Sequence, residues 1–433
     1  MEARDIRRQA GLLHARLPEL QLDQVPDPRQ PQWCRWKLPP LLRLGVAGVM
    51  AGCRSLAAVE QLSAEMTPAA RGLLGIARRV PDTTLRDAYV KVAPTPLRDG
   101  LARQCLAAHR RKALLPQQLP FGMVAMDGKA TAGDGWDDHY AQKQRHSSDG
   151  GASGVVRTIT CCLVSAAARP CLDAVPIPAE TNEVGHFATA FTELWTRYGR
   201  TGLFKLISYD AGGVSLDNAT LVRHHGVHYL FGLRGTQPTL RAEAERLLSG
   251  LRVAPAVAKT VDHTGTGTET RYLFITEEMA GYLDWAHLRT VVRVHSVKRD
   301  REGRLIKQDP DQEDRYYLCS LPRGRLTADA WLYLIRLHWG VENGCHNTWD
   351  KFMREDEHPW IETDPQGMLV VMLLRRMAYN LLTLYRNVTL RAEDKRVTPW
   401  RQLMRHVYNV LMQLTRAHLS GLRARPVPTD AMA

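Results

Sequence analysis

Three acidic positions have the residue types and settings for metal-assisted chemistry. Asp127 follows the apolar run Met123 to Met126 in the segment Met126-Asp-Gly-Lys129, and Asp210 follows Leu206-Ile-Ser-Tyr209 and precedes Ala211-Gly212-Gly213. A carboxylate at the exposed end of a buried strand is rigidly held, and small neighbours let a phosphate or metal approach the backbone. Taken singly, each Asp is more often a turn or helix cap. The third position is Glu342, in a helical segment from Arg336 to Asp350. Residues four apart share a helix face, so His338, Glu342, His346 and Asp350 form one polar stripe, with Trp339 and Trp349 off it. A solvated face beside a core face would give the same pattern. Zinc held by His338, Glu342 and His346 is a further option, but no Cys or paired-His motif supports it. Two strand-end acids and a helix acid suit two-metal phosphoryl transfer. Hard divalent cations take oxygen ligands, and a pair roughly 4 Å apart can activate an attacking oxygen and stabilise a leaving one.

The elements that must position these acids follow from periodicity. Residues 1–118 read as a helical, basic region: apolar residues recur at helical spacing from Leu41 to Met50 and again in Leu56, Val59 and Leu62. Asp82 or Thr83 can cap a helix through Leu85 and Val90, and another covers Pro96 to Lys112. Short helices carrying Arg71, Arg78, Arg79, Arg86 and Lys91 fit a helix-turn-helix DNA-binding domain, and equally a plain helical bundle. In 119–249 the period shortens. Met123 to Met126, Val155 to Ser165 and Cys171 to Ile177 read as successive strands. Helices at Glu183 to Tyr198, Leu216 to His225 and Thr239 to Leu248 then alternate with strands at Leu203 to Tyr209 and Tyr229 to Leu233. This is a mixed sheet covered by helices, the element order of an RNase H-like domain. Residues 250–322 look like a β-rich insertion, with strands at Arg271 to Ile275, Thr290 to Val297 and Tyr316 to Leu321 and a charged hairpin around Asp300 to Gln312. Helix resumes with one long element from Leu326 to Met353, so that 323–358 is a core helix carrying Glu342. A basic helical region, 359–433, follows. The fold class is α/β.

The 433 residues carry a net charge of +13. The charge is unevenly spread: +9 over residues 1–120, −4 over 121–364 and +8 over 365–433. Basic flanks can displace counterions from a polyanion, and an acidic centre leaves room for metal-binding carboxylates. A solvated surface accounts for the charge equally well. Composition is ordinary for a globular chain. There is no run of 18 apolar residues and no charged n-region followed by an apolar h-region, so the expectation is a soluble, non-exported protein without membrane contact. None of the eight cysteines shows C-x-x-C spacing, and they read as small buried hydrophobes.

Met126-Asp-Gly-Lys129, Thr181-Asn-Glu183, Tyr209-Asp-Ala211, Tyr229-Leu-Phe-Gly-Leu-Arg-Gly-Thr-Gln-Pro238 and His338-Trp-Gly-Val-Glu-Asn343 occur in this order, followed by His346, Asp350, Glu355 and Asp356. Together they resemble bacterial insertion-sequence transposases of the DDE type, in the branch that includes the H-repeat-associated proteins. The resemblance implies an RNase H-like core with Asp127, Asp210 and Glu342 as catalytic and metal-binding triad. It implies two Mg²⁺ ions, replaceable by Mn²⁺, and cleavage and strand transfer on double-stranded DNA at terminal inverted repeats. It also implies a homodimer on DNA and a cytoplasmic, nucleoid-associated location. Lys129, Arg234, Gln237, Arg336, His338, Asn343 and His346 would contact DNA. The sequence departs from the pattern at Gly212-Gly213-Val214-Ser215, where a His-Thr-Gln-like stretch is usual, and at Arg234, where Lys is usual. The wider Tyr-x-x-Arg-x-x-x-Glu-x-x-x-x-x-x-Lys pattern would fall on Ile335, His338 and Trp349 and is not satisfied. A catalytically silent DNA-binding descendant, or a nuclease without strand joining, is the alternative.

Overall fold

The computed structural model describes residues 3–137, 139–145, 152–250, 256–390, 397–420 and 422. Ten strands form one sheet: β1 (Met123–Gly133), β2 (Ala141–Arg145), β3 (Ala152–Cys162), β4 (Cys171–Ile177), β5 (Leu206–Tyr209), β6 (His228–Leu233), β7 (Ala258–Thr264), β8 (Gly267–Thr276), β9 (Thr290–Asp300) and β10 (Asp314–Cys319). Their order is β2-β3-β1-β5-β6-β10-β9-β8-β7, with β4 also paired to β3. β3 runs antiparallel to β4 and β1, whereas β1, β5 and β6 are mutually parallel. This core is a mixed sheet covered by helices, the α/β fold class expected from the element order.

Alternation along the strands divides the interior in two. Met123 and Ala125 of β1, with Leu206 of β5 and Leu230 of β6, join a core with the terminal helices. Val124 and Met126, with Ile207, Tyr229 and Phe231, face the opposite layer. That layer consists of three helices that connect or follow the parallel strands, here α7 (Glu183–Tyr198), α8 (Leu216–His224) and α9 (Pro238–Leu248). The first core reaches from Ile6 to Leu414, so the two chain ends share a single apolar interior. It packs α1 to α6 (Ala3–Arg16, Leu38–Ala51, Leu56–Glu65, Pro68–Leu74, Asp82–Tyr89, Pro94–Arg110) with α11 to α14 (Ala328–Leu337, Asn347–Lys351, Pro365–Leu384, Trp400–Gln413). Between these groups lies the one-turn α10 (Pro310–Glu313).

Three expectations change on folding, and the β-rich insertion takes a definite place in the sheet. β1 does not stop at Met126 but continues to Gly133, because its antiparallel ladder with β3 persists from Ala125↔Cys162 to Gly133↔Gly154. The β-rich insertion, whose residues 251–255 lie outside the described residues, is no separate layer. β10 pairs with β6, and β9, β8 and β7 follow, which satisfies the backbone groups that would otherwise be bare along β6. Neither Asp82 nor Thr83 caps α5. The carboxylate of Glu60 accepts the Asp82 N–H from α3 instead. The long helix expected from Leu326 to Met353 is broken. α11 ends at Leu337, a π-helical segment runs Val341–His346, and α12 begins at Asn347.

Pro365–Thr389 is long and apolar enough to cross a membrane, yet 94% of its most apolar window is buried inside the protein. All eight cysteines are unbonded thiols, six of them buried.

Candidate active site at the mouth of the parallel strands

The pairing of β1 with β5 ends at Ala125↔Ser208. Asp127 and Asp210 each lie two residues beyond that couple, at one level and on one face of the sheet. Ligands of open α/β sheets bind in this crevice, past the carboxyl ends of parallel strands. Asp127 is therefore a mid-strand residue held by β3 on one side and released from β5 on the other. The same face carries Lys129, Thr131 and Thr160, and the segment 338–356 packs onto it.

That packing gives the four-residue stripe its meaning. Nδ1 of His338 lies 2.9 Å from the Ser208 hydroxyl of β5. Nε2 of His346 lies 3.0 Å from the Thr160 hydroxyl of β3, and its Nδ1 is 3.5 Å from Asp127. Asp350 meets the Lys129 ammonium at 2.8 Å. Four-residue steps drift by about 40° each on a regular α-helix. The looser i→i+5 winding of the π segment absorbs that drift, so His338, His346 and Asp350 all reach the sheet while Glu342 stays exposed at the mouth.

Electrostatics mark the same spot. Burial, reinforced by Glu342, Glu183 and Asp210, pushes the Asp127 carboxyl up to about 8. Burial and Asp210 also raise Glu342, opposed by the nearby Arg315. A fourth acid, Glu183 at the first position of α7, was not among the residues singled out as a site. Its carboxylate packs against Gly128 so closely that any Cβ there would overlap it, and burial raises its pKa. The signal in the sequence was the Thr181-Asn-Glu183 segment, because Asn182 caps α7 by accepting the Gly185 N–H and thereby fixes where Glu183 points. Gly128 thus makes room for a carboxylate of the chain itself. Burial brings His338 down to about 4 and His346 to about 3, so both rings are neutral and add no positive charge.

The residues expected to touch DNA divide into two sets. Lys129 is buried and clamped by Asp350 and Asp356, and His338 and His346 are committed as described. Gln237 donates to the Val214 carbonyl. Arg234, Arg336 and Asn343 are exposed, although Arg336 is held 2.6 Å from Asp262. The unusual residues after Asp210 have local roles. A Cβ at Gly213 would strike the Tyr209 ring, and Ser215 caps α8 by accepting the Asn218 N–H. A cavity of about 30 Å³, lined by Asp210, Arg234, Tyr317, His338 and Trp339, has room for a single water.

The site offers oxygen donors without thiolates, and its buried acids repel one another, which suits hard divalent cations. Among the described residues no three His, Cys, Asp or Glu side chains stand close enough to hold a metal ion as they are. The acids are gathered without being drawn to coordination distance.

Part of the chain is similar to transposase-related proteins. Over 188 residues the chain is 29% identical to the Escherichia coli K12 protein named "H repeat-associated putative transposase YhhI" and 28% identical to YbfL of the same organism. Each match covers 41% of this chain and 47% of the relative's length. No protein-family model matches the chain.

Proposed function

We propose that the chain is a DNA transposase that binds the terminal inverted repeats of an insertion sequence and performs strand cleavage and strand transfer at Asp127, Asp210 and Glu342. The observation that carries this reading is the meeting of the three acids, from β1, the end of β5 and the π segment, where β1 and β5 part. Held by these carboxylates, two Mg²⁺ or Mn²⁺ ions would supply Lewis acidity to the attacking and leaving oxygens.

The chain's own residues do the rest. His338 and His346 pin the Glu342 segment to β5 and β3 without competing for the anionic substrate. Lys129 neutralises Asp350 and Asp356 behind the site, leaving the negative potential at the mouth. Arg234, Asn343 and Arg336 line the approach and suit phosphate oxygens. The basic helical layer built from both chain ends supplies the charge for duplex binding. Two copies would hold the two element ends.

Labelled terminal-repeat DNA incubated with the protein and Mg²⁺ tests the reading, with nicked and joined products scored separately. Both products are expected. Binding with neither product points to a silent DNA-binding descendant, and nicks that never join point to a nuclease.

A further inference from the structure

The backbone pairing of β1 with β5 stops at the couple Ala125↔Ser208. Asp127 and Asp210 both lie beyond it, so no ladder between their own strands sets the distance from one carboxylate to the other. Asp127 is steadied on its other side by its couple with Thr160 of β3, and β5 ends at Tyr209. Cation chemistry at this pair depends on that distance, and a group outside the two strands has to fix it.

The first turn of α7 spans the gap. Both carboxylate oxygens of Glu183 lie against Gly128, the residue after Asp127. The hydroxyl of Tyr209, the residue before Asp210, donates to the Glu183 carbonyl at 3.1 Å. Burial works against the charge of the Glu183 carboxylate, while the Tyr209 hydroxyl and the Gly128 N–H work for it. One residue thus grips both acid-bearing segments, and the Asn182 cap fixes that residue at the head of its helix. Tyr209 is itself held from two sides. Its ring centre lies 4.6 Å from that of Phe187 on α7, and its edge is so close to Gly213 that any Cβ there would strike it. Gly213 belongs to the stretch after Asp210 where the sequence departs from the usual pattern, and the departure makes room for this ring. The Glu183 oxygens are spent on neighbours within the chain, which is the use of a spacer and not of an open ligand.

We propose that Glu183 is a positioning residue: by gripping Gly128 and Tyr209 it sets the separation of Asp127 and Asp210, and it binds no cation itself. This deepens the transposase reading and rests on it, because it names what holds two of the three acids in register. Two ions roughly 4 Å apart tolerate little error in the carboxylates that share them. Gly128, Glu183, Tyr209 and Gly213 then act as one clamp across the end of the β1–β5 ladder.

Two substitutions separate a spacer from a ligand. Glu183→Ala removes the carboxylate in either role. Glu183→Gln removes its charge but keeps the grip, since the amide oxygen accepts the Gly128 N–H and the amide nitrogen donates to the Tyr209 oxygen, whose own proton goes to the carbonyl. The readouts are calorimetric Mn²⁺ binding to the full chain without DNA, and cleavage of labelled terminal-repeat DNA. Glu183→Ala should weaken Mn²⁺ binding at least about 10-fold and slow cleavage about 100-fold, with duplex affinity retained. Glu183→Gln should recover most of both losses. If Glu183→Ala unfolds, Tyr209→Phe, which deletes only the hydroxyl, should weaken Mn²⁺ binding about 10-fold. Equal losses in Glu183→Gln and Glu183→Ala would overturn the spacer and make Glu183 a cation ligand. Wild-type Mn²⁺ affinity in Glu183→Ala, or in Tyr209→Phe where that variant stands in, would overturn it as well. Both results leave the transposase reading standing so long as the wild type cuts and joins DNA. A wild type that neither binds Mn²⁺ nor cuts DNA would remove that reading and the spacer with it.

Discussion

Two clusters of charge lie towards the two ends of the segment 338–356, and they are resolved differently. At the mouth, Asp127, Glu183, Asp210 and Glu342 repel one another, and the two histidines beside them are neutral. Behind it, Lys129, Arg375 and Arg376 face Asp350, Glu355 and Asp356, three cations to three carboxylates. Glu355, Arg375 and Arg376 are fully buried, and the guanidinium of Arg376 stacks 3.8 Å from the centre of the Trp349 ring. A balanced cluster can be sealed inside a fold, because each charge finds its compensation within the chain. An unbalanced one stays at a mouth and needs a ligand from outside. The contrast separates scaffold from site more sharply than burial does, since Asp127 and Lys129 are near neighbours on the same strand face.

The largest expected effect breaks the unbalanced side. Asp127→Asn or Glu342→Gln should cut strand cleavage on the order of 10⁴-fold, with duplex affinity nearly unchanged, as read by product formation and filter binding. Next comes the balanced side. Glu355→Gln leaves two buried guanidinium groups uncompensated and should cost about 3–5 kcal/mol in denaturant unfolding. If it cost under about 1 kcal/mol, the cluster would not be the scaffold described.

The metal-free protein supplies a third comparison. Asp127 has a folded pKa raised to about 8 from an ordinary 3.8, so the folded state binds more protons than the unfolded one between those values. Its contribution therefore falls as pH rises from about 4 to 8. Asp127→Asn should then stabilise the metal-free protein at pH 8 and do little at pH 4. Saturating Mg²⁺, at about 100 times its Kd, should stabilise the wild type by about 2.7 kcal/mol at pH 8, and less at pH 6, where protons compete. Equal Mg²⁺ effects on Asp127→Asn and wild type would take Asp127 out of the cation site. The smallest effect is steric. Gly128→Ala should destabilise by about 1–3 kcal/mol through overlap with the Glu183 carboxylate, and Glu183→Ala in the same chain should recover most of it.

Much of this was legible in the residues. Short apolar runs such as Met123 to Met126 and Leu206 to Tyr209 placed two acids beside buried strands, and the order of strands and helices implied the mixed sheet. The four-residue stripe marked the helical segment that packs on it. Local pattern reports these features because strand alternation and helix faces are properties of neighbouring residues. It could not report the partner each side chain would choose. Lys129 reads as a phosphate ligand until Asp350 and Asp356 arrive from more than 200 positions away. Glu183 reads as the first residue of a helix until Gly128 is set against it.

By itself the sequence determined the α/β alternation, the basic flanks and the three acids in order. Only the tertiary structure decided that the two flanks form one helical layer, that the insertion prolongs the core sheet, and that a π segment turns Glu342 to the mouth while its neighbours bind inward. The reason is that those outcomes depend on long-range burial and charge compensation, which no local period encodes.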